Sequence, residues 1–346
     1  MAKCELAIVL EREDDNYQIG DVVRGQVKVN VTQHCEFQEV FIKKFWQTHG
    51  KGNEDEGDVQ KIVLFKGDLP LGEYSYPFEF ELENGPITYQ GENFGIQWLL
   101  EARADINWAI DPKASIPITI KANSEQPIKL TQAPIENEID FAADLKRNLN
   151  LDHPAIKSKV LPIAMSIFAL YSFIIIVLAI VNIRTNAYDS LITNILFWAL
   201  PGFLLFKLCK PFIAQRKLGE VTVTIEEKDY HCAERITVKV NFTPPKNLTI
   251  NGIKARLQLN ENVISGSGKN KSHLSHQDVI EEKTLVENRK LPANIPFGQS
   301  AYLALPTEVM HNFKSPSNKL SWQLVLDIDI PYWPDWQLKQ TIQVKC

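Results

Sequence analysis

His273-Leu274-Ser275-His276-Gln277-Asp278 groups side chains that bind transition metals, and His231-Cys232 could add to them from the same half of the chain. A zinc site needs three or four convergent ligands, each oriented by a further hydrogen bond. The stretch around these histidines is rich in Ser, Asn, Gly and Lys, so it is expected to be a solvated loop with no metal or other cofactor. A second chemistry is suggested by Asp327 and Asp329, two apart, and by Glu101, Arg103 and Asp105 with a cation in the middle. Residues at i and i+2 of a strand share a face. Paired carboxylates catalyse proton transfer only in a pocket that separates their pKa values. Outward positions on a half-exposed sheet explain them without a pocket. Buried between domains, Arg103, Asp105, Asp327 and Asp329 would instead make interdomain polar contacts, a latch.

Gly266-Ser267-Gly268-Lys269 lacks the spacing of a phosphate-binding loop and opens no helix, so it reads as a flexible turn. Tyr332-Trp333-Pro334-Asp335-Trp336 is more distinctive. Its simple explanation is a packed turn at the end of a sandwich, with Trp108 and Asp111 in related places earlier in the chain. Its functional explanation is a binding patch, because Trp and Tyr anchor interfaces. Tyr332, Trp333, Trp336 and Trp108 are therefore the candidate interface residues. No Ser/His/Asp or Cys/His arrangement has a recognisable local context, and the chain is expected not to be an enzyme.

The elements that carry these residues alternate with period two. Leu6, Ile8 and Leu10 fall on one face, as do Val27, Val29 and Val31. In the strand predicted at residues 96–106, Trp98, Leu100, Ala102, Ala104 and Ile106 form the inward set. Many short strands separated by Gly, Pro, Asn and Asp indicate antiparallel sandwiches. The stretch at 98–120 recurs 224 positions later: Trp98 pairs with Trp322, Asp105 with Asp329, Asp111 with Asp335 and Ile118 with Ile342. With only 7 Trp in 346 residues, that agreement identifies two copies of one domain. The polar stretch at 260–290 would be a long loop of the second copy.

The net charge of −5 argues against nucleic acid as the main partner. Five cysteines, odd in number and scattered, fit a reducing compartment better than a disulfide framework. Residues 134–157 show helical spacing and are expected to be a linker. Residues 160–181 hold no charge over 22 positions, ~33 Å as a helix, and 191–208 are nearly as apolar. These predict two helices crossing a lipid bilayer. Lys and Arg flank the pair on both outer sides, which would place both termini and both sandwiches in the cytoplasm of a plasma or bacterial inner membrane.

Tyr17 to Val27 (Y-x-I-G-D-V-V-R-G-Q-V), Tyr74 to Leu82 (Y-x-Y-P-F-E-F-E-L) and Pro86 to Trp108 resemble, in order and spacing, the strand motifs of the arrestin family. The first copy matches over most of its length, the second mainly through the internal repeat. The resemblance implies two tandem sandwiches serving as an adaptor without catalysis. Ala2-Lys3-Cys4-Glu5 stands where phosphate-sensing arrestins carry a lysine pair, and Pro244-Pro245 runs into Lys246 instead of forming P-P-x-Y. The expected architecture is all-β with a transmembrane α-helical hairpin: an arrestin-like, immunoglobulin-like sandwich at 1–133, a linker at 134–157, the hairpin at 158–213 and a second sandwich at 214–346. The expected role is a membrane-anchored scaffold for a membrane-associated protein partner. The alternative is a structural subunit of a membrane transport, secretion or synthase complex.

Overall fold

Among the described residues, alternation along the chain builds nine strands in each half, wired identically. The computed structural model describes residues 4–12, 14–33, 35–82, 85–106, 111–122, 214–226, 228–307 and 310–345, with nine isolated positions between 170 and 184. In the first half, β1 (Cys4–Leu10), β3 (Val22–Val31) and β6 (Gly72–Glu81) form a three-stranded sheet. A second sheet runs in the order β2 (Asn16–Gln18), β9 (Lys113–Lys121), β8 (Phe94–Ile106), β4 (Cys35–Gly50), β5 (Glu56–Leu69), with β7 (Tyr89–Gln90) paired to β8. The second half repeats this order. There, β10 (Val221–Ile225), β12 (Arg235–Phe242) and β15 (Phe297–Ala304) form the small sheet. The large sheet contains β11 (Asp229–His231), β18 (Trp336–Lys345), β17 (Asn318–Asp329), β13 (Leu248–Ser265) and β14 (Ser272–Leu291), with β16 (Phe313–Lys314) on β17.

The repeat extends to single bonds. Trp98 on β8 is buried and donates its indole N–H to the Pro86 carbonyl at 2.7 Å. Trp322 on β17 is buried and donates to the Met310 carbonyl at 2.8 Å, again twelve residues upstream. A buried indole needs such an acceptor, and each copy supplies one from the loop before its central strand. The inward set of β8, Trp98 to Ile106 in steps of two, is buried throughout. Short parallel pairings, β2 with β9 and β11 with β18, close one side of each large sheet.

Lys44 ties the two sheets of the first half together. It lies in the apolar phase of β4 and is fully buried. Its ammonium sits 3.0 Å from Asp58 and 5.2 Å from the Trp98 ring, and donates to the Glu81 carbonyl at 3.1 Å. Asp58 keeps some solvent contact, which limits the electrostatic cost of losing its partner. Lys44→Met retains the stem and leaves the carbonyl unpaired, so it should cost about 1–2 kcal/mol in urea unfolding. A loss above that range would show that the ion pair dominates the bond to β6.

Three sequence-based expectations need correction. The two membrane helices at 160–181 and 191–208 are not supported, because among the described residues no helix is long and apolar enough to cross a membrane. The same finding overturns the transmembrane hairpin at 158–213, the bilayer contact and the multi-pass placement in a plasma or inner membrane with both termini cytoplasmic. A charge-free run fixes only the greatest length a helix could reach, whereas crossing needs an unbroken helix of about 20 residues. Leu170, Phe173, Ile174, Ile176, Val177, Leu178, Ile180 and Val181 are helical and exposed; the rest of both segments, and the linker at 134–157, lie outside the described residues.

The stretch at 260–290 is mostly strand, the body of a long β13–β14 hairpin. Most of β14 is exposed, so it carries polar residues in both phases and shows no alternation. Glu281 and Lys283 on β14 reach the backbone of β15, Lys283 donating to the Tyr302 carbonyl at 2.5 Å and Glu281 accepting from the Ala304 amide. They occupy backbone groups that an edge strand otherwise presents to solvent. The third correction concerns the cysteines: Cys232 is disulfide-bonded. Scattered spacing along the sequence concealed a pairing that a sheet can create.

Candidate functional site

Two carboxylates, one from each half, meet donors of the other half where the sandwiches touch, Asp55 half-buried and Glu261 fully buried. The loop between β4 and β5 carries Asp55, which accepts at Oδ2 from the Ser315 hydroxyl at 2.6 Å, the Ser317 amide at 2.8 Å and the Asn318 side-chain amide at 2.8 Å. Asn318 also donates to Thr48 Oγ1 at 3.0 Å and to the Asn53 carbonyl at 2.8 Å. Asn53 pairs with Gly266 in both directions, at 3.0 and 2.9 Å, and its own amide donates to the Ile264 carbonyl at 2.8 Å.

Glu261 performs the reciprocal role from the middle of β13. It is 1% exposed. Its Oε1 accepts from the Tyr89 hydroxyl at 2.6 Å and the Glu92 amide at 3.1 Å, and its Oε2 accepts from the Asn93 amide at 2.6 Å. Burial, then the bond to Glu261, push the Tyr89 hydroxyl far above its ordinary pKa, so it remains a donor. Gly91 lies under this cluster, and a Cβ there would overlap the Glu261 carboxylate and come within 2.6 Å of the Tyr89 hydroxyl. Lys51 fastens the same loop from outside, donating to Glu92 at 3.0 Å and Asn93 at 3.2 Å. Beside the polar bonds, Phe313 of the second half packs edge-on against Trp46 at 5.4 Å and stacks on Phe94 at 6.1 Å.

The four residues considered for a latch lie elsewhere. Arg103 donates through Nε to Asp111 at 3.0 Å, and that bond lowers the Asp111 pKa below the usual carboxylate range. Asp105 faces Glu39 across the β4–β8 ladder. Asp327 pairs with Arg256 and accepts from Gln337 at 2.6 Å. Asp329 accepts from Asn251 at 2.9 Å. These partners belong to each residue's own large sheet or, for Asp111, to the residues just before β9. Glu101 pairs with Lys43 on the neighbouring strand.

His273 and His276 stand on β14, and His276 contacts Asp278 at 2.9 Å. His231 ends β11, away from them in the sheet order. Among the described residues no group of three or more His, Cys, Asp or Glu converges as a metal site would require. Gly266 to Lys269 form the turn of the long hairpin, with Gly266 and Gly268 at positive φ.

The aromatic candidates separate into two kinds. Trp336 lies on β18 opposite Ile328 and packs against the core. Tyr332 is fully exposed and sits at φ 62°, a left-handed conformation that tyrosine seldom adopts. Trp333 is 45% exposed, and Lys217 lies 4.0 Å over its ring. Lys217 belongs to the helical residues 214–218, whose Ala214 and Leu218 are buried. Trp108 lies outside the described residues.

Together these features define a pair of β-sandwiches joined by a buried polar junction and bearing an exposed aromatic turn. No protein-family model matches the chain, and no curated protein matches it. Among solved structures it is similar to Spo0M, a sporulation control protein from Bacillus subtilis, at 16% identity with a TM-score of 0.29. The match covers 37% of this chain and 49% of the other, so the chain matches about half the length of that structure. A likeness at that score says nothing of role.

Proposed function

We propose that the chain is a non-catalytic adaptor of arrestin-like architecture, whose two sandwiches act as one body and hold a protein partner at the Tyr332–Trp333 turn. The observation that carries this reading is the display of that turn: a fully exposed tyrosine at positive φ beside a half-exposed tryptophan. Left-handed backbone at a bulky residue costs about 1 kcal/mol or more and persists where the surroundings hold it. Large aromatic side chains are the usual anchors of protein interfaces. Lys217 over the Trp333 ring adds a cation beside them. The junction suits the same role, because it fixes the turn relative to the first sandwich.

The test is a photo-crosslinker placed at position 332 of the full chain in extract from its source cells. A discrete protein adduct is expected, and it should fall at least about tenfold when Trp333 is changed to Ser, since such anchors contribute 2 kcal/mol or more. Circular dichroism of Trp333→Ser should match the parent. An adduct of undiminished yield would remove the aromatic turn from the interface. Self-adducts alone would overturn the adaptor reading.

A further inference from the structure

β5 and β14 close corresponding edges of the two large sheets, and the two edges are built differently. On β5 stand Lys61 and Lys66, Asp58 and Gly67 take left-handed φ, and the register with β4 shifts at three places. Charged side chains and irregular backbone of this kind keep another strand from adding to an edge. On β14, Glu281 and Lys283 bond to β15 and cover the edge there. The stretch from Ser272 to Val279 has neither protection. It holds no Lys, Arg, Pro or Gly, and its register with β13 is unbroken from Ser265↔Ser272 to Gln258↔Val279. Among the described residues only β13 pairs with it. Every residue in it except His276 is exposed, including Leu274 at 42% and Val279 at 51%.

Unpaired backbone groups beside exposed apolar side chains form a template for a further strand. The residues of the stretch suit a second copy of themselves. Laid antiparallel about a two-fold axis at Gln277, His276 of one copy faces Asp278 of the other, and Ser275 faces Val279. Farther out, Leu274 runs toward Ile280 of the other copy, and both are exposed in the single chain. No like charges meet. An imidazole N–H donates to a carboxylate whether or not the ring is charged, and the symmetry makes the pair twice. Within one chain His276 already contacts Asp278 at 2.9 Å, so the axis gathers two imidazoles and two carboxylates in alternation.

We propose that a second copy of this chain pairs with β14 along Ser272 to Val279, joining two large sheets into one across a two-fold axis at Gln277. The surface used is the same on both copies, so the assembly closes as a dimer. It leaves the aromatic turn uncovered. Gln277 is level with Asn260 on β13, whereas Asp329, just before that turn, is level with Gly252. Gly252 and Asn260 lie ~26 Å apart along the strand.

Sedimentation velocity of the full chain, from nanomolar to high-micromolar concentration, is expected to show a reversible dimer. Gln277→Lys sets two lysines face to face on the axis and should weaken that dimer at least about tenfold, with circular dichroism like the parent's. Val59→Lys, on exposed β5, should leave it unchanged. The register has its own readout: a short bis-maleimide should link two chains of Gln277→Cys, and should fail with His273→Cys, whose two copies would lie ~26 Å apart. A parent chain that stays monomeric at high-micromolar concentration overturns the proposal and leaves the edge to a foreign strand. A dimer that Gln277→Lys does not weaken, or that crosslinks equally well from position 273, overturns it too.

Discussion

Glu261→Ala is expected to cost about 3–5 kcal/mol and to split urea unfolding of the full chain into two transitions. The carboxylate satisfies three donors of the first half, namely the Tyr89 hydroxyl and the Glu92 and Asn93 amides. Each buried donor left without an acceptor costs about 1–3 kcal/mol. Whole domains are stable by only about 5–15 kcal/mol, so this loss is large enough to part the sandwiches before either unfolds. Intrinsic fluorescence reports both halves, since each carries a fully buried tryptophan on its central strand, Trp98 and Trp322. A single transition shifted by less than about 1 kcal/mol would show that the junction does not couple the halves.

Gly91→Ala approaches the same junction from the opposite side. Its Cβ would overlap the Glu261 carboxylate, so the single variant should also open the interface. Removing the obstacle should then remove most of the penalty. The double variant Gly91→Ala/Glu261→Ala is expected to be about as stable as Glu261→Ala alone, which is a strong departure from additivity. Simple addition of the two losses would place the cost of Gly91→Ala elsewhere in the loop.

The strands were legible because alternation and burial share one physical cause. The inward set of β8 and the Trp98/Trp322 repeat both survive as observed contacts. The junction was not found, although it leaves a signal of its own: a polar residue standing in the apolar phase of a strand. Glu261 follows Leu257 and Leu259 and precedes Val263; Asn318 precedes Leu320, Trp322 and Leu324; Lys44 and Thr48 follow Val40 and Ile42. Every one of these polar residues is buried and bonded. Attention to Asp327 and Asp329 favoured charges close together in sequence, whereas the junction carboxylates Asp55 and Glu261 find their donors more than 160 residues away. β14 stayed hidden for the opposite reason, since a strand exposed on both faces need not alternate. The apolar block misled because composition sets only how far a helix could run, and among the described residues no helix is long and apolar enough to cross a membrane.

His311 makes the second large prediction, a loss of stability in mild acid. It is fully buried, and among the described residues neither ring nitrogen has a hydrogen-bond partner. Its neighbours hold the backbone in place: the Met310 carbonyl accepts from Trp322, and the Asn312 side chain accepts from the Val344 amide. Burial alone lowers its pKa from 6.5 to about 4. The unfolded chain therefore takes up a proton first as the pH falls. The stability from keeping this imidazole neutral is complete above pH 6.5, declines as the pH drops toward 4, and is gone below it. At 1.36 kcal/mol per unit, the decline amounts to about 3 kcal/mol. His311→Leu replaces an unsatisfied ring with an apolar side chain, so it should flatten the profile between pH 6.5 and 4.5 and match or exceed the parent at pH 5. The carboxylates whose pKa values are lowered, such as Asp111 and Glu234, act below that window and leave the comparison clean. Urea midpoints at half-unit intervals decide the matter: parallel profiles for the two proteins would show that His311 takes up its proton equally in the folded and unfolded chains over this range.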